Sequence, residues 1–217
     1  EEVEEGTKVT WGIRGEHTLM DKAYFTLGGY DFDGEMRTMY DKGLTALDQL
    51  INADMKVYSI DVSGITQYSG GFYMYATTAT SIEHIDEKVM ELIPQVKSFM
   101  EGNNITILGK PITIYNSKDP VNNSAIISSG IPTTSRIVVP EDSAILCGFL
   151  PAYTVIKTRL TGNTSNLDEA WKKTEAYMQE NNYVAAPESS KFEFYIVGPE
   201  DTPNPAEWVT ELYLPVQ

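Results

Sequence analysis

The feature that most limits what this chain can fold into is an internal repeat. Asp86-Glu87 recurs as Asp168-Glu169, and Asn103-Asn104 recurs as Asn181-Asn182. Pro111-Ile112-Thr113-Ile114-Tyr115 recurs as Lys191-Phe192-Glu193-Phe194-Tyr195, and Ile131-Pro132 recurs as Leu214-Pro215. The order is shared and the offset stays near 80 residues. A fixed offset means one supersecondary unit used twice. Each copy reads strand, helix, strand, strand, which predicts an α+β fold. Two such units pair their sheets side by side about a pseudo-two-fold axis. The result expected is an antiparallel sheet with both helices on one face and a ligand cleft on the other.

The elements follow from local pattern. Val57 to Val62 and Phe72 to Thr77 read as strands around the turn at Gly70-Gly71. A helix spans about Ser81 to Gly102, with Ser81 as its N-cap. Glu83, Asp86 and Glu87 enrich its first turn, where the helix dipole favours negative charge. Gly102 and Asn103 suit its end, and Pro94 should kink it. Strands are expected at Pro111–Tyr115, Ser124–Pro132, Arg136–Val139, Ser143–Leu150 and Tyr153–Leu160. A second helix follows at about Asn166–Asn182, then strands at Lys191–Val197 and Trp208–Pro215. Before the repeat, Gly6–Glu16 reads as an extra N-terminal strand and Gly28-Gly29 as a loop. Residues Asp31 to Asn52 read as a helix with a stripe of Met36, Met39, Tyr40, Leu44, Leu47 and Leu50.

Side chains alternate along a strand. If the apolar set faces the helices, Phe192, Phe194, Ile196, Leu212 and Leu214 point inward, as do Ile112, Ile114, Phe72, Met74 and Ala76. The helix-free face then collects Tyr73, Tyr75, Tyr115, Tyr195 and Tyr213 with Glu193 and Glu211. Aromatic walls around a carboxylate suit an amphipathic cation: the rings offer π-faces and the carboxylate a counter-charge. The same surroundings raise a carboxyl pKa, which suits a general acid or base. Ordinary solvent-facing strand positions would give the same alternation. Glu193, however, has uncharged Thr113 as its repeat mate, so the charge sits in one half only.

Charge and cysteine count narrow the function classes. The 217 residues hold 16 Lys plus Arg against 31 Asp plus Glu, a formal charge of -15. So acidic a surface repels phosphate backbones, and no nucleic acid is expected to bind this chain alone. No apolar run approaches the roughly 20 residues of a membrane span, so no membrane partner is expected. The single Cys147 lies in an apolar run and reads as a buried structural thiol. One cysteine and the separated His17 and His84 give no metal spacing, so neither metal nor cofactor is expected. The lack of disulfides fits a reducing, cytoplasmic setting. Oligomeric state is left open.

Phe192-Glu193-Phe194-Tyr195, the acidic Pro-rich loop, and Val209-Thr210-Glu211-Leu212-Tyr213-Leu214-Pro215-Val216 together resemble the end of GyrI-like domains. These are the effector-binding domains of bacterial transcription activators. Leu167-Asp168-Glu169-Ala170-Trp171 and Asn181-Asn182-Tyr183 are similar to that family's second helix. The resemblance covers about residues 55–217. It implies a central cleft for lipophilic, often cationic, multidrug-like ligands, with Glu193 as charge partner. Some members resemble hydrolases of cyclopropane-bearing toxins, which would make Glu193 catalytic beside a tyrosine. A sensor or sequestering module, such a hydrolase, and a ligand-free interaction module are the three readings left open.

A second resemblance concerns residues 1–52. Gly6-Thr7-Lys8-Val9-Thr10-Trp11 and Tyr40-Asp41-Lys42-Gly43-Leu44-Thr45-Ala46-Leu47 look like the last strand and C-terminal helix of a START-like (polyketide cyclase, SRPBCC) domain. That resemblance, with the missing initial Met, implies a remnant of a longer two-domain protein.

Overall fold

The computed structural model describes residues 2–3, 6–7, 9–12 and 32–217. It divides into two compact units, Glu1–Asp54 and Met55–Gln217. In the first, β1 (Glu2–Val3) pairs antiparallel with β2 (Gly6–Thr7). Residues 9–12 are irregular, so the strand expected over Gly6–Glu16 is confined to its first two residues as far as it is described. Residues 13–16 and the Gly28-Gly29 loop lie outside the described residues. Helix α1 runs Phe32–Met55, and its stripe leaves Met39, Leu47 and Leu50 exposed.

The second unit holds the repeat. Its strands are β3 (Ser59–Tyr68), β4 (Gly71–Thr80), β5 (Ile112–Asp119), β6 (Ser124–Thr133), β7 (Leu146–Leu150), β8 (Tyr153–Thr161), β9 (Phe192–Val197) and β10 (Val209–Pro215). Helices α2 (Ile85–Gly102) and α3 (Leu167–Glu180) complete the copies β4-α2-β5-β6 and β8-α3-β9-β10. All eight strands form one antiparallel sheet in the order β3-β8-β10-β9-β5-β6-β4-β7. This is the duplicated α+β architecture read from the sequence.

The axis passes between β5 and β9, where Ile112 faces Phe194, Thr113 faces Glu193 and Ile114 faces Phe192. The same backbone bond occurs on each side of it. The Tyr115 N–H donates to the Lys191 carbonyl and the Tyr195 N–H to the Pro111 carbonyl, both at 3.0 Å.

The helix ends repeat down to single bonds. Each helix has two acids in its first turn, Asp86 and Glu87 or Asp168 and Glu169, where the exposed N–H groups favour negative charge. Neither uses a side-chain cap. A 3-10 turn leads in instead, over Ile82–His84 and Thr164–Asn166. Ser81, expected as N-cap, holds His84 Nδ1 at 2.6 Å instead. At the C-termini, Asn104 and Asn182 take left-handed φ of 53° and 58°. An asparagine tolerates that conformation, which a helix needs to turn out of its last coil. Helix α2 runs through Pro94 as one element.

One expected strand is absent: Arg136–Val139 is irregular. Its Ile137 N–H finds the Cys147 sulfur at 3.2 Å rather than a strand neighbour, and Pro140 follows without an N–H to donate. Cys147 is half-buried there.

Candidate ligand-binding site

The two faces of the sheet bury different cores. On the helix side, Ile85 and Val89 of α2 and Leu167, Ala170 and Trp171 of α3 pack on Tyr115, Ile127, Ile156, Leu160, Leu212 and Leu214. On the opposite face, Ile112, Ile114, Leu150, Val155 and Phe192 cluster with Tyr68, Tyr73, Tyr153, Phe194 and Tyr213. The central strands β5 and β9 are therefore covered on both sides.

That arrangement reverses part of the facing expected from alternation. Residues directly opposite across an antiparallel pair share a face. Glu193 pairs with Leu212, and Leu212 belongs to the helix-side core. So Glu193 points toward the helices, with Thr113, Tyr115 and Tyr195, while Ile112, Ile114, Phe192 and Phe194 point away. The apolar-inward rule fails here because both faces of these strands are inside. In β4 and β10 it holds: Met74, Ala76, Leu212 and Leu214 face the helices, and Tyr73, Tyr75, Glu211 and Tyr213 face away.

The seven residues expected in one groove thus fall into two groups. Tyr73 and Tyr75 lie together, ring centroids 5.0 Å apart. Tyr213 stacks on Phe192 at 5.2 Å, and its hydroxyl donates to Glu211 at 2.8 Å. Glu211 also meets Lys157 Nζ at 2.9 Å, so its charge is compensated on that face.

The other group surrounds Glu193, which is fully buried. The Tyr195 hydroxyl donates to Glu193 Oε1 at 2.6 Å and the Tyr115 hydroxyl to the same oxygen at 3.1 Å. Tyr195 Oη also lies 3.1 Å from the Thr113 hydroxyl, which in turn meets the Ser129 hydroxyl at 2.9 Å. A chain of three neutral hydroxyl groups, Ser129, Thr113 and Tyr195, therefore ends on the carboxyl oxygen that Tyr115 also bonds. Oε2 has no hydrogen-bond partner among the described residues, and neither has the Trp171 indole N–H.

Burial pushes the Glu193 pKa from 4.5 up to about 7. The Tyr195 and Tyr115 hydroxyls favour the ionised form, and the charge of Asp86 opposes it, but desolvation outweighs the hydroxyls. Burial, then the nearby Glu193 charge, raises both Tyr115 and Tyr195 well above the ordinary range. The tyrosines thus remain hydrogen-bond donors while the carboxyl titrates near neutrality.

Around this core the walls are aromatic and partly charged. Trp171 meets Tyr115 edge-on at 6.0 Å. Lys191 Nζ lies 4.6 Å from the Trp171 ring centroid and 6.0 Å from that of Tyr115. An open depression of about 390 Å³ lies alongside, lined by residues including Tyr115, Asn116, Lys118, Ser190, Lys191 and Leu214. Trp171 and Lys191 were not among the residues expected here. The signal was present for Trp171: the large ring stands where the first copy has Val89. Among the described residues, no group of three His, Cys, Asp or Glu is placed to hold a metal. No described helix is long and apolar enough to cross a membrane.

Solved structures share this fold. The EcmrR C-terminal domain superposes with a TM-score of 0.63 at 17% identity, covering 74% of this chain and 98% of that one. EcmrR in its DNA complex gives 0.61 at 16% identity, over 93% and 78%. SAV2435 bound to tetraphenylphosphonium gives 0.50 at 12% identity, over 70% and 92%. No curated protein sequence matches. The GyrI-like small molecule binding domain matches residues 73–217. That match takes in both repeat copies, the central Thr113–Glu193 pair and the tyrosines around it, and so the chain belongs to the GyrI-like small molecule binding domain family.

Proposed function

We propose that this small-molecule binding domain takes an amphipathic, lipophilic cation in the depression beside Tyr115, with the Glu193 carboxylate as counter-charge. The observation that carries this reading is the setting of Glu193: fully buried and, among the described residues, bonded through one oxygen only, with burial pushing its pKa up to about 7. Without a ligand, burial keeps such a carboxyl protonated up to about pH 7. A cation arriving over Tyr115 and Trp171 shifts it to the ionised form, and the proton leaves. The aromatic rings supply π-faces for the apolar part of the ligand. The open depression of about 390 Å³ is of the size, roughly 300–1,000 Å³, usual for small-molecule sites. SAV2435, of the same fold, is solved with tetraphenylphosphonium, a permanent lipophilic cation.

The test is binding of tetraphenylphosphonium by calorimetry to the wild-type chain and to Glu193→Gln. Because this probe cannot titrate, any pH dependence belongs to the protein. With Glu193 at about 7, wild-type affinity rises about tenfold from pH 6 to pH 8. Glu193→Gln binds at least about tenfold more weakly at pH 8 and is flat with pH. Equal binding by the two proteins overturns the counter-charge role.

A hydrolytic reading rests on the same group. A carboxyl near neutrality, 2.6 Å from the Tyr195 hydroxyl, is poised to move a proton. Incubation with a cyclopropane-bearing electrophile, followed by mass spectrometry, separates the readings. Ring-opened product above a Glu193→Ala control supports turnover, and none supports binding alone.

A further inference from the structure

The rings that wall Glu193 are already covered by a cation of the chain's own. Lys191 directly precedes β9, and its carbonyl is fixed by the Tyr115 N–H at 3.0 Å. Its side chain is mostly buried, 24% exposed, and reaches back over α3. The ammonium lies 4.6 Å from the Trp171 centroid and 6.0 Å from the Tyr115 centroid, and 3.1 Å from Glu175 Oε1. Tyr115 is the same residue whose hydroxyl bonds Glu193 at 3.1 Å. Lys191 also lines the depression beside it.

The repeat supplies a control inside the molecule. Counted from the matching helix starts and strand pairs, the mates of Trp171, Glu175 and Lys191 are Val89, Ile93 and Pro111. Pro111 makes the same backbone bond as Lys191, accepting from Tyr195 at 3.0 Å. The fold therefore needs no lysine there, nor a charge on the helix above it. The ring, the ammonium and its carboxylate together are an addition to the second copy, next to the one buried acid on the axis.

We propose that the Lys191 ammonium is a built-in competitor for the ligand: it occupies the Trp171–Tyr115 wall in the empty domain and must be displaced for a lipophilic cation to enter. This rests on the cation-binding reading above. Glu175 holds the lysine on a short leash, so a displaced ammonium keeps a carboxylate partner while it leaves the rings. The consequence is selectivity. A small cation gains little over the lysine that it replaces. A cation with a large apolar surface gains ring contact that an ammonium cannot match.

Lys191→Met tests this, since it keeps an unbranched apolar stem over Trp171 and removes the charge. Tetraphenylphosphonium affinity is expected to rise about tenfold in Lys191→Met and to stay near wild type in Lys191→Arg. Uncharged triphenylphosphine oxide should gain less than threefold. Unchanged or weaker tetraphenylphosphonium binding by a Lys191→Met protein of wild-type melting temperature overturns the proposal. Should that variant fail to fold, proton NMR of the wild-type chain decides. The Lys191 ε-methylene signals, shifted upfield by the rings, must move to ordinary values as tetraphenylphosphonium is added. Their staying fixed at saturation overturns the proposal. Glu193→Gln in both backgrounds separates the two ideas. Weaker binding in both, with no gain from Lys191→Met, sinks the competitor and keeps the counter-charge. A gain from Lys191→Met with no loss from Glu193→Gln in either background keeps the competitor and sinks the counter-charge. No binding by any variant sinks both.

Discussion

Replacing Glu193 by glutamine should make the protein more stable at neutral and alkaline pH, by an amount that grows with pH. The acid titrates at 4.5 when solvated and at about 7 in the fold. Each tenfold in proton affinity is worth about 1.4 kcal/mol, so the complete effect is about 3 kcal/mol. The sign follows from where the proton sits. Below 4.5 the carboxyl is protonated in both states and nothing is lost. Between 4.5 and about 7 the unfolded chain releases a proton that the folded chain keeps, so stability falls as pH rises. Above about 7 both states are ionised and the whole cost of a buried carboxylate stands.

Glutamine carries no proton to release, so its stability escapes this term. Its carbonyl can still accept from Tyr195 and Tyr115. Its amide group would take the place of Oε2, which has no hydrogen-bond partner among the described residues, so its buried N–H groups stay unpaired at a cost of about 1 kcal/mol independent of pH. Urea unfolding of both proteins, followed by tryptophan fluorescence, reads the difference. The wild type has already lost about 1 kcal/mol at pH 5, so the gap should widen by about 2.5 kcal/mol between pH 5 and pH 8. A gap that stays constant within 0.5 kcal/mol across that range refutes a carboxyl held neutral by burial. A gap that narrows would mean that the tyrosine hydroxyls, rather than desolvation, dominate.

Two further predictions concern the scaffold. Asn104→Ala and Asn182→Ala should each lower unfolding free energy by about 1 kcal/mol, and the glycine variants should not, because only the left-handed φ of 53° and 58° is at issue; equal losses for alanine and glycine would argue instead for a side-chain role. Gly130→Ala should be far more damaging, more than about 3 kcal/mol by urea midpoint, because its Cβ would lie 2.0 Å from the Met74 carbonyl oxygen in the adjoining strand β4. A Gly130→Ala protein of wild-type stability would mean that β4 and β6 can separate there.

How much of this was legible depended on whether the signal was local. Helix ends and turns carry their chemistry in a few consecutive residues. The Asp-Glu and Asn-Asn pairs therefore located both helices and exposed the duplication. Arg136–Val139 failed because β-branched residues describe a strand's side chains and not whether a neighbour exists to pair with. The facing of β5 and β9 failed for a different reason. A half-buried strand alternates apolar and polar, and the apolar side is the inside. A strand buried on both faces can alternate for another reason, and here one face is apolar and the other a hydroxyl network. What fixes the side is the pairing of Glu193 with Leu212. The chain between those strands runs through Pro199, Pro203 and Pro205, and a loop of that length leaves register free. Lys191 was hidden for the same reason. It reads as the polar first residue of a strand, and only the return of α3 brings Trp171 and Glu175 to it.

The duplication also explains why the site is asymmetric. Residues on a two-fold axis face their own repeat mates, and Thr113 faces Glu193 across β5 and β9. Had both copies kept glutamate, two buried carboxyls would stand opposite each other, about 5 Å apart at Cβ. Each would raise the other's pKa, and the pair would share one proton with no counter-charge. A threonine avoids this and does more, since its hydroxyl is 3.1 Å from the Tyr195 hydroxyl that bonds the acid. The neutral copy thus becomes the hydrogen-bonding support of the charged one. The same division recurs one layer out, where Val89, Ile93 and Pro111 pack one half and Trp171, Glu175 and Lys191 put a ring and an ion pair in the other. A symmetric fold with a central axis can hold one buried charge only by breaking its sequence symmetry there. The residues at which the two copies differ most in chemistry around that axis are therefore the ones on which recognition should depend.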